Sequence, residues 1–188
     1  MKQKFVIALL VCMFVPGRVY GAEPVLKVMD GQTLIEDMTH PNTAEIEAAE
    51  AYLSENHVDV PADIEALCIE YGKKNNIAPE LLEAMIWKES RFKPEVVDAT
   101  GTCKGLMQIK AGSHVRRMER LGVTDLHDPE SNIAVGVDYL RELLEEYDLE
   151  VAIMLYNGDK RAFTPGYRSG YVNKVLEVSQ ALERSHYR

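Results

Sequence analysis

Glu89 occupies a position where a helix of a soluble protein ordinarily carries an apolar residue. Together with Leu82, Met85 and Ile86 it follows the i, i+3, i+4, i+7 spacing of one helical face. Burial disfavours the charged form of a carboxyl group, so the pKa of Glu89 should be raised from about 4.3 towards neutrality. A carboxyl group of this kind is suited to general acid catalysis. The alternative is that Glu89 lies at a frayed helix end and turns to solvent.

The elements that must position Glu89 are predominantly helical. Apolar residues recur at helical spacing, and the breaks between the repeats carry Gly, Pro and Asn. The predicted helices run from Asn42 to Asn56, from Pro61 to about Tyr71 where Gly72 and the Asn75-Asn76 pair break the pattern, from Pro79 to Pro94, from Val115 to Leu121, from Asp128 to Tyr147, from Val151 to Tyr156, and across Tyr171, Val175, Val178 and Leu182.

The region after Glu89 lacks helical period and contains the best candidate for a strand, Leu106 to Ile109. The fold class is therefore mainly α (α+β with minimal β), with a short hairpin or extended segment near the groove that holds Glu89. We expect three parts: a signal peptide over residues 1–21, an acidic arm with one short helix over 22–58, and the catalytic domain over 59–188.

The N-terminus has the layout of a secretory signal peptide, with Lys2 and Lys4, an apolar run and small residues up to Gly21, after which cleavage is expected. The apolar run is shorter than the roughly 20 residues that a membrane span needs. Cleavage removes three basic residues and no acid, which takes the formal charge from −9 to −12. Such a chain does not attract a polyanion, so nucleic-acid binding is excluded as a function.

Cysteine and histidine usage indicates no metal site and no cofactor. Export leaves Cys68 and Cys103. These two residues either form one disulfide in an oxidising compartment or remain free, with Cys68 as a small buried thiol. The five histidines lie in polar stretches and are predicted to be surface residues.

Five short motifs together resemble the lytic transglycosylase (SLT) domain, a goose-lysozyme-like family that cleaves bacterial peptidoglycan. The match covers about residues 60–183 and preserves the family's order and spacing. The motifs are Glu89-Ser90-Arg91-Phe92-x-Pro94, then Gly101 with Gly105-Leu106-Met107-Gln108-Ile109, then Asn132-x-x-x-Gly136, then Tyr156-Asn157, and last Tyr171-Val172.

The resemblance implies that Glu89 is the single catalytic acid/base. It would protonate the glycosidic oxygen after N-acetylmuramic acid (MurNAc) and then deprotonate that sugar's own 6-hydroxyl, giving a 1,6-anhydro end. A family member of this type needs no second carboxylate, because the substrate supplies the nucleophile.

Asp98 departs from the family, where many relatives carry Ser nine residues after the catalytic Glu, and the following loop is one residue longer than usual. Two interpretations remain open. Asp98 either caps the turn before Gly101, which is favoured because Asp suits such loops, or it positions water for a hydrolytic muramidase or chitinase-like enzyme. A non-catalytic wall-binding or assembly protein is the third alternative, and the intact motifs at Glu89 and Gln108 oppose it.

The resemblance assigns substrate binding to Ser90, Asp98, Met107, Gln108, Tyr156, Asn157 and Tyr171. Each has a simpler structural interpretation: Ser90 could bond its own helix backbone, Met107 or Gln108 could pack while the other faces the groove, and both tyrosines could be core aromatics. Gln108 and Tyr156 are the favoured contacts. Gly136 is predicted to allow close packing.

The expected partner is the peptidoglycan glycan strand, and we expect a monomer. The chain is predicted to act outside the cytoplasmic membrane, in the periplasm or cell wall, where it could serve an envelope-spanning secretion or conjugation apparatus.

Overall fold

The computed structural model describes residues 41–187. The predicted signal peptide over 1–21, its cleavage near Gly21 and the first part of the predicted acidic arm lie outside this range. Within 41–187, no helix is both long enough and apolar enough to cross a membrane.

Seven α-helices and one small antiparallel hairpin make up the described chain, which confirms the mainly α prediction. The helices are α1 (Thr43–Glu55), α2 (Ala62–Asn75), α3 (Pro79–Ser90), α4 (Val115–Leu121), α5 (Pro129–Glu146), α6 (Leu149–Tyr156) and α7 (Gly170–Ser185). The hairpin strands are β1 (Cys103–Lys104) and β2 (Ile109–Lys110), and a 3₁₀ turn over Ala111–Ser113 follows β2.

Two helix starts follow directly from local sequence. Asn42 caps α1 by accepting a hydrogen bond from the backbone N–H of Glu45, whose side chain accepts from the N–H of Asn42 in return. Asp128 caps α5 by accepting from the N–H of Ser131, and Pro129 stands at the first helical position. Each cap satisfies backbone donors that a helix end otherwise leaves without partners.

Helix α3 lies at the centre of the domain, where it packs against α2 and α7. Its residues Leu82, Met85 and Ile86 are fully buried. The helical face that carries Glu89 is therefore the core face of α3. The C-terminal end of this face emerges from the core at the protein surface.

Helix α1, which the sequence assigns to the acidic arm, packs against α7. Ala49 and Leu53 are buried in the same hydrophobic core as α3. At the edge of this contact the Tyr52 hydroxyl donates to Glu177 at 2.9 Å and accepts from the Lys174 ammonium at 3.0 Å. The acidic segment thus contributes a packed helix to the domain.

Two predicted helix ends are wrong. Helix α2 passes through Gly72 and ends at Asn75, since Asn76 adopts a left-handed conformation with φ 54°. Glycine is needed at position 72 because a Cβ there would lie only 2.6 Å from the Ile77 carbonyl oxygen. Helix α3 ends at Ser90 and not at Pro94, since Arg91 adopts a left-handed conformation with φ 55°.

The predicted strand over Leu106 to Ile109 is also misplaced. Cys103 pairs with Lys110 and Lys104 with Ile109, so Leu106 to Gln108 form the turn between two short strands. The hairpin itself confirms the predicted minimal β content. Its turn is buried at Leu106 and Met107, which is why this apolar run has the composition of a strand.

Candidate active site

Glu89 is the penultimate residue of α3 and is only partly exposed. The residues one and two turns earlier on its face, Ile86, Met85 and Leu82, are fully buried. Glu89 therefore stands where the core face of α3 reaches the surface, and the interpretation as a frayed, solvent-exposed end does not hold.

The pKa of Glu89 is raised above its usual value, as the sequence predicts. Burial is the largest cause, and it outweighs two opposing effects, a hydrogen bond from Tyr171 and the positive charge of Lys88. A raised pKa keeps a larger fraction of the carboxyl protonated near neutral pH, which is the state that can donate a proton.

Tyr171 provides the hydrogen bond to Glu89, with its hydroxyl 2.6 Å from Oε1. It lies in the first turn of α7, which Ser169 caps by accepting from the N–H of Val172. Burial and the charge of Glu89 raise the pKa of Tyr171 well above its usual value, so this hydroxyl stays protonated and remains a donor. The residues are 82 positions apart in the chain.

Tyr156, the tyrosine that the sequence favours as a contact, bonds elsewhere. Its hydroxyl donates to the Met107 carbonyl oxygen at 3.0 Å and so joins the end of α6 to the hairpin turn. Burial raises the pKa of Tyr156, and the charge of Glu89 adds to this effect, so the two side chains are electrostatic neighbours. The hydrogen bond of Tyr156 therefore goes to the hairpin turn and not to Glu89.

Met107 is buried and Gln108 is partly exposed, although the segment is a turn and does not alternate as a strand would. Met107 is fully buried and fills the space above Gly136, where a Cβ would approach its sulfur to 2.3 Å. Gln108 is partly exposed with a left-handed φ of 47°, and its amide nitrogen donates to the carbonyls of Val96 and Gly105. Its Oε1 accepts no hydrogen bond from the residues described, which leaves an acceptor for a ligand.

Asn132 holds the hairpin in place, a role that the sequence motif did not reveal. Its Oδ1 accepts from the N–H of Met107, and its Nδ2 donates to the carbonyls of Lys104 and Leu126, all at 2.8 Å. Gly105 is required beside it, because a Cβ there would lie 2.2 Å from Nδ2. The sequence feature that could have predicted this role is a polar residue, Asn132, on the inner face of α5.

Asp98 caps the loop that leads into β1. One carboxylate oxygen accepts from the N–H groups of Thr102 at 2.6 Å and Cys103 at 2.7 Å, and the other accepts from the N–H and hydroxyl of Thr100. These bonds, chiefly that from the Thr100 hydroxyl, lower the pKa of Asp98 to about 2. Asp98 does not contribute to the raised pKa of Glu89. The geometry corresponds to the capping interpretation.

Ser90 and Asn157 lie at helix ends and have different surroundings. The buried Ser90 hydroxyl donates to the Ile86 carbonyl oxygen at 3.1 Å, the backbone alternative considered above. Asn157 caps the C-terminus of α6 and is exposed, and its side chain bonds to no residue within 41–187. Asn157 is therefore available to a ligand, whereas the Ser90 hydroxyl is occupied.

Three further residues extend the neighbourhood of Glu89. The Tyr139 ring lies 5.3 Å from the Tyr156 ring, and the His114 ring lies 4.7 Å from Tyr139. Cys103 is among the groups that act to raise the pKa of Tyr156, after burial and Glu89. His114, predicted to be a surface residue, is partly buried, and its Nδ1 faces Arg117 three positions further along the chain.

Both cysteines are free thiols, Cys68 fully buried and Cys103 partly exposed, which excludes the disulfide alternative in this structure. Burial raises the pKa of the Cys68 thiol. Within residues 41–187, no group of three or more His, Cys, Asp or Glu side chains is arranged to hold a metal ion.

Comparison with known proteins places the motifs in a family. The family model of the transglycosylase SLT domain matches residues 66–164. The chain is 32% identical over 104 residues to a protein named transglycosylase from Enterobacteria phage PRD1, a match that covers 54% of this chain and 37% of the phage protein.

Two bacterial proteins are similar over different lengths. The X polypeptide of Escherichia coli is 33% identical over 123 residues, which is 61% of this chain and 72% of that protein. The membrane-bound lytic murein transglycosylase F of Desulfosudis oleivorans is 41% identical over 69 residues, 37% of this chain and 14% of that protein. The chain thus spans only part of each relative, and it belongs to the transglycosylase SLT domain family, the family of the lytic transglycosylases.

Proposed function

We propose that this protein is a peptidoglycan lytic transglycosylase in which Glu89 is the single general acid/base. The bond cleaved is the β-1,4 linkage between MurNAc and N-acetylglucosamine (GlcNAc), and the product is a 1,6-anhydromuramoyl end. The observation that carries the proposal is a partly buried carboxyl group with a raised pKa, joined to Tyr171 at the end of the core face of α3.

The reaction needs one proton donated and one accepted at the same carboxyl group. Protonated Glu89 gives its proton to the glycosidic oxygen as the bond from that oxygen to C1 of MurNAc breaks. The resulting carboxylate then takes the proton of the 6-hydroxyl while the 6-oxygen bonds to C1. Glu89 returns to its starting state and no water is consumed.

The opposing influences on Glu89 support both halves of this cycle. Burial favours the protonated form that donates, whereas the Tyr171 hydroxyl stabilises the carboxylate that forms after donation. A hydroxyl that remains protonated is the suitable partner for this second role, because it donates to the carboxylate without competing for the substrate's proton.

The surroundings of Asp98 support a lyase over a hydrolase. A carboxylate that activates water needs a free oxygen and a pKa that lets it accept a proton. Both oxygens of Asp98 already accept hydrogen bonds from the loop, and its pKa of about 2 makes it a weak base. We therefore assign Asp98 to the loop and Gln108, Tyr156 and Asn157 to the walls of the groove.

The family relationship also supports a location in the cell envelope, where peptidoglycan lies. We infer export through residues 1–21 and action as a monomer, and an opening in the glycan mesh is what an envelope-spanning secretion or conjugation apparatus would require. Fractionation with an antibody, compared with a chain lacking residues 2–21, tests export: retention of the full chain in the cytoplasm would refute it.

The test of the chemistry is digestion of purified peptidoglycan with the wild type and with Glu89→Gln, followed by mass spectrometry of the muropeptides. We expect anhydro ends from the wild type and a loss of at least about a thousandfold in the mutant. Glu95→Gln is the matched control, because Glu95 is an exposed carboxylate six residues away.

Other outcomes identify the alternatives. Reducing ends from the wild type, abolished by Asp98→Asn, would establish a hydrolase that uses a second carboxylate. An absence of cleavage by an intact, folded wild type would support a wall-binding or assembly protein and refute the proposal.

A further inference from the structure

A cavity of about 430 Å³ lies outside the residues assigned to the groove. It is bounded by the 3₁₀ turn, by α4 and by α5. The polar and charged residues that line it are Ser113, His114, Arg116, Arg117, Arg120 and Glu142. None of these belongs to the family motifs that carry the proposed chemistry.

Two of the three arginines are neutralised by α5. Arg117 donates from Nε to Asp138 at 2.6 Å and from a second nitrogen to Glu142. Arg120 also donates to Asp138, at 2.5 Å. Partial burial acts to raise the pKa of Asp138, but the hydrogen bonds from Arg120 and Arg117 dominate and hold it below its usual value. These ion pairs fix the cavity wall in one arrangement.

Arg116 is the uncompensated cation of the cavity. It is exposed, and it has no hydrogen-bond or ion-pair partner within residues 41–187. Arg116 and Arg120 stand four residues apart, and so on the same face of α4. In a chain with a formal charge of −9, this local excess of positive charge is a feature that an anionic ligand would recognise.

His114 adds a neutral donor to the cavity. A nitrogen of the Arg117 guanidinium lies 2.7 Å from His114 Nδ1. Arginine is always protonated and can only donate, so Nδ1 must accept and the ring proton must lie on Nε2. A neutral Nε2–H on a residue that lines the cavity is a hydrogen-bond donor for a ligand oxygen.

Packed aromatic rings lead from the cavity towards the proposed active site. The His114 ring contacts Tyr139, the Tyr139 ring contacts Tyr156, and Tyr156 neighbours Glu89. Along the chain, the 3₁₀ turn that forms one wall follows β2 and thus the hairpin turn with Gln108. A polymer in the groove could therefore present a side branch to this cavity.

We propose that the cavity binds a free carboxylate of the peptide stem carried by the glycan strand. The proposal rests on the proposed function, because it takes peptidoglycan as the polymer in the groove. The GlcNAc units of the strand are uncharged, and the free carboxylates of the stem peptide supply the anions. Arginine guanidinium matches a carboxylate in geometry as well as charge.

The experiment compares three forms of one purified peptidoglycan: native, native with its stem carboxylates converted to amides by carbodiimide and ammonia, and stripped of stems by an amidase. Initial cleavage rates at low substrate concentration give kcat/KM for each form. The amidated form keeps the bulk of the stem and removes its charge, so it separates charge recognition from contact with the peptide.

We expect the wild type to cleave native strands faster than amidated or stripped strands. Arg116→Gln should reduce the ratio of native to amidated rates by about twofold to fivefold, the range of an exposed ion pair. Arg184→Gln, which removes the same charge from an exposed position on α7, should keep the wild-type ratio.

Equal cleavage of native and amidated strands by the wild type would overturn the proposal, as would an unchanged ratio in Arg116→Gln. An equal loss in Arg184→Gln would also overturn it, because the effect would then come from net charge and not from the cavity. Failure of the wild type to cleave all three forms would instead refute the proposed function.

Discussion

Asn132 gives the sharpest test of how the hairpin is held beside Glu89. Its side chain is 1% exposed and makes three hydrogen bonds to backbone groups of the hairpin and of the segment before α5. In Asn132→Ala the N–H of the fully buried Met107 and the carbonyls of Lys104 and Leu126 lose their partner together. The bonds to Met107 and Leu126 are buried and the bond to Lys104 is partly buried, so one substitution removes all three.

The expected cost follows from those three groups. A buried donor or acceptor left without a partner costs about 1–3 kcal/mol, and partial access of water to the carbonyls reduces their share, so the total is about 3–5 kcal/mol. Urea or thermal unfolding followed by circular dichroism measures this loss. Asn173→Ala on α7, where the side chain is exposed, is the control and should change stability by less than about 0.5 kcal/mol.

Asn132→Asp refines the test by changing one nitrogen to oxygen. The new carboxyl can still accept from the Met107 N–H, but a carboxylate oxygen would face the carbonyls of Lys104 and Leu126. Burial and these carbonyls raise its folded-state pKa above the unfolded value of about 3.9. The variant should therefore be most stable relative to wild type below that pH and lose stability as the pH rises through the folded-state pKa.

Two results would refute this account. If the free energy of unfolding of Asn132→Ala were within about 1 kcal/mol of the wild-type value, the three bonds would not hold the hairpin. If Asn132→Asp gained stability relative to wild type as the pH rose, the carbonyls would not face the new group. Activity on peptidoglycan should fall with stability in both variants, because the Met107 carbonyl also accepts the hydrogen bond of Tyr156.

Three further predictions test other parts of the molecule. Tyr171→Phe removes a hydrogen bond that lowers the pKa of Glu89, so the fall in kcat/KM with rising pH should move to higher pH; no shift, or a shift downwards, would contradict this. Leu53→Ala, at a site 8% exposed, should reduce the free energy of unfolding by about 2–3 kcal/mol, and a change below about 0.5 would show that α1 is not part of the core. A bulky maleimide on Cys103 should slow cleavage in the wild type and leave Cys103→Ser unaffected, whereas the fully buried Cys68 should react only on unfolding; full activity of the labelled wild type would place the thiol away from the groove.

The parts of the fold that sequence predicted are those determined by neighbouring residues. The caps at Asn42 and Asp128 depend on groups within three or four positions, and the helical face that contains Glu89 depends on spacing alone. The predicted end of α2 at Gly72 failed because the reason for that glycine is a close approach by the Ile77 carbonyl, which composition does not reveal. Gly72 is part of the helix-end geometry, in which the N–H of Ile77 donates to the Gly72 carbonyl oxygen, and it does not break the helix.

In the candidate site, too, the features set by local sequence were predictable and the contacts between distant residues were not. The position of Glu89 and the direction of its pKa shift were predictable from burial, whereas the Tyr171 hydrogen bond joins residues 82 positions apart and required the packing of α7 on α3. The bonds of Asn132 span up to 28 positions, and those of Arg117 to Asp138 and Glu142 depend on how α4 meets α5. Such contacts have no local pattern from which they could be inferred.

The arrangement around Glu89 also explains why a second carboxylate would be a disadvantage in the proposed reaction. A negative charge close to Glu89 would raise its pKa further, and protonated Glu89 would then be a weaker acid at the step where it must give its proton to the glycosidic oxygen. Asp98 is instead turned into its own loop, where Thr100, Thr102 and Cys103 satisfy its oxygens. The neighbour that Glu89 has is a neutral hydroxyl, which can stabilise the carboxylate without repelling it. One acid with one protonated donor is therefore a sufficient set for an enzyme whose substrate brings the nucleophile.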